Sequence, residues 1–216
     1  MEISPKDTPS NLFYKVIVGS VVPRPIAWVS TINETGQPNL APFSFFNVVC
    51  PSPPTLLFCP GVRGTNAGIK DTYANVRASG EFVVNLVSEE LAEAMNKTAT
   101  ELPPEVNEFE YAGLAQEASK LVGAPRVAES PVAFECKVTQ IVDVGDGGRG
   151  SGWVVLGEVV HMRVKDDVLG ENYRIDLDAL KPIGRLSGPR YARVSDRFEL
   201  FREESKLDGG PPNYDR

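Results

Sequence analysis

Residues 23–47 read PRPIAWVSTINETGQPNLAPFSFFN. Pro23 and Pro25 fix their own φ and keep the residues before them extended, so the chain enters this stretch straight. IAWVSTI (26–32) is rich in β-branched and aromatic residues and predicts a strand. NETGQPN follows, a turn-forming cluster in which Gly36 and Pro38 break the pattern. LAPFSFFNVV (40–49) predicts the returning strand, so the two runs form a hairpin with a longish loop.

Working outward, the breaker CPSPP leads into TLLFCP, a short apolar run of the core-strand type. Gly61 to Gly68 predicts a loop, and KDTYANVRA (70–78) a short helix with Asp71 or Thr72 near its start and Gly80 after its end. EFVVNLV is another strand. SEELAEAMNKTAT is a second helix, with Ser88 as N-cap and Leu91, Met95 and Ala92 on its inner face. ELPPEVNEFEYAGL carries helix-breaking prolines and predicts a surface excursion over a neighbouring site. VAFECKVTQIVDV and WVVLGEVVHMRV, joined by GDGGRGSG, form the clearest hairpin in the chain. Upstream, SNLFYKVIVGSVV (10–22) mixes a short amphipathic stretch with a β-branched run. Many short strands, turn clusters and a few short helical inserts predict a mainly β, antiparallel barrel. Long helices do not alternate with the strands, and no Gly-rich strand-to-helix turn exists, which argues against a doubly wound sheet. One domain over residues 1–201 is expected, with a polar tail at 202–216.

The formal charge of −7 argues against a nucleic-acid partner. It leaves room for a phosphate-bearing small ligand, which a local cluster of donors can hold. No run approaches the ~20 apolar residues of a membrane span, and MEISPKDTPSN lacks the layout of a signal peptide. Cys50, Cys59 and Cys136 match no zinc spacing and fit reduced thiols in a cytoplasmic protein. With one histidine, His161, a multi-histidine metal centre within one subunit is impossible. The default for His161, in an apolar strand, is a packed or hydrogen-bonded neutral imidazole, with contact to a nicotinamide as the functional alternative.

Three places carry groups suited to such a ligand. Ser44, Phe45, Phe46 and Asn47 put a hydroxyl, two rings and an amide on one strand. Lys70, Asp71 and Thr72 sit at a helix start, where unpaired N–H groups and the dipole favour anions. Arg24 lies between two prolines. Each alone has a plainer reading: a core Phe pair, a solvated cap, a surface arginine.

Their order is more specific. PRPIAWVST, a Gly turn, NLAPFSFFN, a Pro-Pro break, KDT and then EFVVN resemble the flavin reductase-like family, most strongly from Tyr14 to Asn85. The similarity continues weakly through PVAFECKV and GEVVHMRV to RLSGPRYARV. The resemblance implies the FMN-binding split-barrel fold and an oxidoreductase drawing hydride from NADH or NADPH. It implies electron delivery to free flavin or to a partner such as a monooxygenase; the rivals are a flavin-binding electron carrier and a β-barrel module without flavin. It implies FMN contacts from Ala27, Trp28, Val29 and Ser30 and from Ser44 to Asn47. Lys70 and Thr72 would hold the phosphate, with Asp71 as a local cap and Arg24 as a weaker phosphate candidate. It further implies a homodimer with the site at its interface, so that Arg185 and Tyr191 approach the flavin from their own or from the second subunit. No residue is expected to act as a catalytic acid or base, because hydride transfer is the cofactor's own chemistry.

Overall fold

The structure is a computed structural model that describes residues 1–201 and Glu203. The tail expected at 202–216 therefore lies, Glu203 apart, outside the described residues. Helices are α1 (Ser10–Ser20), α2 (Asp71–Ser79), α3 (Ala92–Lys97), α4 (Glu108–Ala112) and α5 (Leu177–Leu180). Strands are β1 (Ala27–Ile32), β2 (Pro38–Phe43), β3 (Phe46–Pro51), β4 (Pro54–Phe58), β5 (Glu81–Asn85), β6 (Gln116–Glu117) and β7 (Arg126–Val127). They continue with β8 (Val132–Val144), β9 (Gly152–Val164), β10 (Ile183–Arg185) and β11 (Tyr191–Arg193).

Seven strands form one antiparallel sheet in the order β2-β1-β5-β8-β9-β4-β3. The outer strands are thus β2 and β3, yet only Ser44 and Phe45 separate them in sequence. A link that short brings the two edges of a seven-stranded sheet together, so the sheet must curl. The edges meet without pairing, which makes the barrel split. The single strand expected over residues 40–49 is therefore two strands, and the bend at Ser44–Phe45 is what closes the barrel. Register shifts at Glu135/Cys136 and Val138/Gln140 mark bulges in the long β8–β9 hairpin, the local device that bends a strand pair.

β1 is buried from Ala27 to Thr31 because both its faces are covered. Ala27 and Val29 point into the barrel with Phe43, Phe58 and Phe82, while Trp28 points outward into a second core with Leu40, Met95 and Phe109. Trp28 is fully buried, and its Nε1 donates to Thr98 Oγ1 at 2.8 Å. Asn85 in β5 locks this wall. Its Nδ2 donates to Trp28 O and Ser30 Oγ, and its Oδ1 accepts from Val127 N.

The short helices depart from their sequence signals in instructive ways. The 10–20 segment is entirely helical, although Val18 is its one buried residue. Ser88 stands at the start of a 3-10 turn (Glu89–Leu91) that runs into α3, but its side chain makes no capping bond. The 101–114 excursion is not merely a surface loop, because Phe109 of α4 is fully buried and Glu108 accepts from Leu40 N at 3.1 Å. Gly80 ends α2 in the left-handed region (φ 70°), as the sequence indicated. Among the described residues, no helix is long and apolar enough to cross a membrane.

Gly157 faces the barrel interior on β9, where a Cβ would lie 2.4 Å from Phe82 Cζ and 3.2 Å from Cys136 Cβ. Both neighbours are fully buried. Gly157→Ala should therefore cost about 1–3 kcal/mol as an overpacked core, read as a lower urea midpoint at unchanged m-value. An unaltered midpoint would show that the barrel interior is looser than described.

Candidate functional site

A cleft of about 930 Å³ opens beside the barrel seam, a volume typical of a small-molecule or cofactor site. The β2–β3 bend, the start of α2, the end of α3, the β8–β9 tip and the β10–β11 hairpin all contribute to its walls.

One end gathers groups that suit an anion. Lys70 precedes α2, and the backbone N–H groups of Asp71, Thr72 and Tyr73 have no partner among the described residues; the helical bonding begins with Ala74 N to Lys70 O at 3.1 Å. A helix start of this kind offers free donors and a positive dipole end. The Lys70 ammonium makes no ion pair among the described residues and lies 5.5 Å over the Phe43 ring. Burial pushes its pKa below the ordinary lysine range, Glu101 pulls it back, and Arg63 adds to the fall. Thr72 is buried, and its Oγ1 accepts from Asn39 Nδ2 at 2.8 Å, which leaves the hydroxyl hydrogen free to donate elsewhere. Asp71 pairs with Arg63 at 2.5 Å, so it balances a neighbouring cation. Glu108 lies close by, and burial holds its carboxyl above the usual range.

The walls are partly apolar. Phe43 lies beside the β2–β3 bend, and Trp153 at the start of β9 stacks on Tyr73 with centroids 3.8 Å apart and planes at 15°. On another side stand Arg185 and Tyr191 of the β10–β11 hairpin. The Arg185 guanidinium lies 4.6 Å over the Tyr191 ring and bonds to its hydroxyl and, at 2.6 Å, to Gly188 O.

The structure brings Arg24, Ser44, Phe45, Lys70, Asp71, Thr72, Arg185 and Tyr191 to this one cleft. Arg185 and Tyr191 reach it within their own chain, where the sequence also allowed an approach from a second subunit. Arg24 lines the cleft but is already engaged. Its Nη1 donates to Val18 O (2.6 Å) and Val21 O (2.7 Å), its Nη2 to Leu186 O (3.0 Å) and its Nε to Ser44 Oγ (3.4 Å). A guanidinium with all but one of its five N–H groups committed is a clamp with little left for a phosphate.

Ala27, Trp28, Val29 and Ser30 lie elsewhere, fully buried in β1. From Trp28 to Ser30 the strand pairs with β2 on one edge and β5 on the other, so the backbone has no open edge there. Phe46 and Asn47 belong to β3 on the far side of the bend: Phe46 packs on the core, and the exposed Asn47 bonds to Val48 N. None of these six lines the cleft.

Sequence reasoning missed Asn39, Arg63 and Arg149. Each carried a signal: an Asn inside a strand is disfavoured without a local reason, and both arginines sit beside glycines that let backbone approach a ligand. Trp153 lines the cleft as well.

His161 is not part of it. Its Nδ1 lies 3.2 Å from Glu135 Oε1 without hydrogen-bond alignment, in a charged cluster on the β8–β9 hairpin. Glu135 is fully buried and accepts from Lys120 N and Leu121 N, with Arg126 Nη1 at 3.4 Å. Burial acts to raise its pKa, but the two backbone donors, His161 and Arg126 together hold it below the usual carboxylate range.

A model of the "Flavin reductase like domain" matches residues 18–181. The chain belongs to the flavin reductase-like family. An uncharacterized protein of Aquifex aeolicus is 49% identical over 200 residues, covering 93% of this chain and 99% of that one. Nitrilotriacetate monooxygenase component B from Bacillus cereus superposes with a TM-score of 0.87 at 34% identity, over 93% of this chain and 98% of that one. The 2-nitrobenzoate 2-nitroreductase of Pseudomonas fluorescens gives a TM-score of 0.84 at 32% identity, over 97% of this chain and 100% of that one. The fold is that of split-barrel flavin reductases, and the similarities support an oxidoreductase.

Because the folded pKa of Glu135 is depressed, its stabilising effect is present above the unfolded value of about 4.3 and is lost as pH falls through the folded value. Glu135→Gln removes the fully buried countercharge of Arg126, which keeps only the half-buried Glu117 at 3.5 Å, and should cost up to about 3–5 kcal/mol at pH 7, with a shallower loss of stability on acidification. Denaturant titrations at neutral and acidic pH check both. A variant as stable as the parent at pH 7 would mean that the cluster is solvated.

Proposed function

We propose that this chain binds FMN in the cleft and works as an NADH- or NADPH-dependent flavin reductase, delivering electrons to free flavin or to a partner oxygenase. The observation that carries the reading is the start of α2. The N–H groups of residues 71–73 and the Lys70 ammonium, unpaired among the described residues, and the Thr72 hydroxyl gather where Lys70, Asp71 and Thr72 line a cleft whose walls are partly apolar. That donor set fits a phosphate monoester, and the apolar wall fits a flat ring.

Bound FMN supplies the electron chemistry. The chain's own residues bind and orient. Lys70, Thr72 and the first N–H groups of α2 hold the phosphate; Phe43 and Trp153 offer apolar surface; the bend at Ser44–Phe45 supplies backbone and hydroxyl groups at the ring end. Arg185 and Tyr191, fixed to each other and to Asn96 through the Tyr191 hydroxyl, set the far wall. No side chain in the cleft is assigned as a proton donor or acceptor, and His161 stands outside it. The similarity to component B of a two-component monooxygenase supports an oxygenase as the acceptor.

A homodimer is part of this reading. Phe45, Val48 and Val49 on the bend and β3, with Tyr14 and Ile17 on α1, are all exposed, and apolar surface of this kind marks interfaces. Trp28 contributes nothing to it, being fully buried. Light scattering should give twice the chain mass; a monomer that holds FMN at micromolar affinity would contradict the dimer and leave the cleft assignment standing.

Lys70→Ala should weaken FMN by about one to two decades in affinity, the worth of a charge-assisted contact, and leave riboflavin nearly unchanged. In the parent, FMN affinity should hold until pH reaches the depressed pKa of Lys70 and fall above it, starting below the usual lysine value of about 10.4, because only the ammonium attracts phosphate. Equal losses for the two ligands would place Lys70 beside the ring. Steady-state NAD(P)H oxidation tests the activity, and a yellow protein without it would be an electron carrier instead.

A further inference from the structure

We propose that the rim of the cleft carries a second anion subsite, centred on Arg149, that takes the diphosphate of a dinucleotide. The proposal rests on the flavin reading above and extends it from a monophosphate to a dinucleotide.

Arg149 sits at the tip of the β8–β9 hairpin, in Gly145–Gly152. Gly145, Gly147 and Gly150 have φ of 94°, 86° and 89°, which curl the tip in a way that side-chain-bearing residues resist. The tip is then stitched to the 60–65 loop on the cleft rim. Val62 N donates to Ser151 O at 3.1 Å, and Trp153 N to Pro60 O at 3.0 Å. At Gly152 a Cβ would lie 2.8 Å from Pro60 O, so the close approach needs glycine there.

This stitching places the guanidinium. Arg149 Nη1 donates to Gly64 O at 2.8 Å and Nη2 to Thr65 O at 3.1 Å. Both acceptors are neutral carbonyls, and among the described residues no carboxylate lies within ion-pair distance of Arg149. The side chain is therefore a positioned, exposed cation without an ion pair among the described residues and with part of its donor set unspent.

It also stands next to the proposed phosphate site. Gly64 N and Thr65 Oγ1 donate to Glu101, at 2.8 and 2.6 Å, and Glu101 is the carboxylate whose charge acts on Lys70. Lys70 and Arg149 line the same cleft, and the loop at Gly64 and Thr65 is bonded both to Arg149 and to Glu101. A monophosphate fills one anion site, whereas a dinucleotide carries a second phosphate for Arg149. The ionised residues lining the cleft are Arg24, Arg63, Lys70, Arg149 and Arg185 against Asp71, Glu101 and Glu108. In a chain of net charge −7, that local excess of positive charge favours a polyanion.

The diphosphate could belong to FAD or to the reduced pyridine nucleotide, and paired ligands separate the two. FMN and FAD are titrated into the parent, Arg149→Gln and Arg149→Lys. NADH and reduced nicotinamide mononucleotide are compared as donors with FMN saturating. Arg149→Gln should cost at least one dinucleotide about tenfold or more, in Kd for FAD or in KM for NADH, while its mononucleotide partner stays within about twofold. Arg149→Lys should recover part of the loss, and added salt should shrink it. A selective FAD effect assigns the diphosphate to the flavin, and a selective NADH effect assigns it to the donor. Equal changes within both pairs, or none, would reduce Arg149 to a fastener of the hairpin and overturn the proposal. A parent that binds neither FMN nor FAD would instead sink the flavin reading beneath it.

Discussion

One buried guanidinium holds this cleft open. Arg24 reaches from the start of β1 to the carbonyls of Val18 and Val21 at the end of α1, to Leu186 O beyond β10, and to the Ser44 hydroxyl at the β2–β3 bend. Three segments distant in sequence are thereby fixed to the barrel, and together they form one side of the cleft. The neighbouring backbone supports the clamp, since Arg24 N and O bond to Arg185 O and N. Hydrogen bonds from a charged donor are stronger than neutral ones. A buried charge without such partners would be costly, so the helix end, the bend and the C-terminal hairpin must assemble around Arg24 together. The Phe45 ring, 6.0 Å from its carbon centre, completes the arrangement.

The opposite side of the cleft rests on neutral groups. Asn39 in β2 and Thr72 in α2 join sheet to helix through one buried hydrogen bond, and Asn75 repeats the join to Thr31 of β1 at 3.0 Å. These contacts fix where α2 begins, and so where its free N–H groups point. On the proposed reading, anion affinity here is a property of backbone placement, to which Lys70 adds charge. A chain with net charge −7 can then present a local site for phosphate.

Much of this was legible in the sequence because the strands follow simple rules. The β-branched run of β1, the long alternating hairpin of β8 and β9, and the Lys-Asp-Thr helix start ending at Gly80 all read correctly from local chemistry. The break at Ser44–Phe45 did not, because the apolar run passes through it unbroken and only the closure of the barrel demands a bend. Helix α1 was obscured for a related reason: its β-branched residues suggest a strand, and its end is satisfied by Arg24, a partner outside the helix. Arg24 itself reads as a free cation, since nothing local reveals three carbonyl acceptors brought from elsewhere. Asn39, Arg63 and Arg149 escaped notice because each gains meaning only when separate loops meet at one rim.

The central claim is that the start of α2 is the phosphate end of a flavin site. A crystal structure of the protein soaked with FMN tests it most directly. The account predicts the FMN phosphate within hydrogen-bond distance of the backbone N–H groups of residues 71–73 and of Lys70 Nζ, with the ring inside the cleft. A flavin bound with its phosphate at Arg185, or lying outside the cleft altogether, would contradict it.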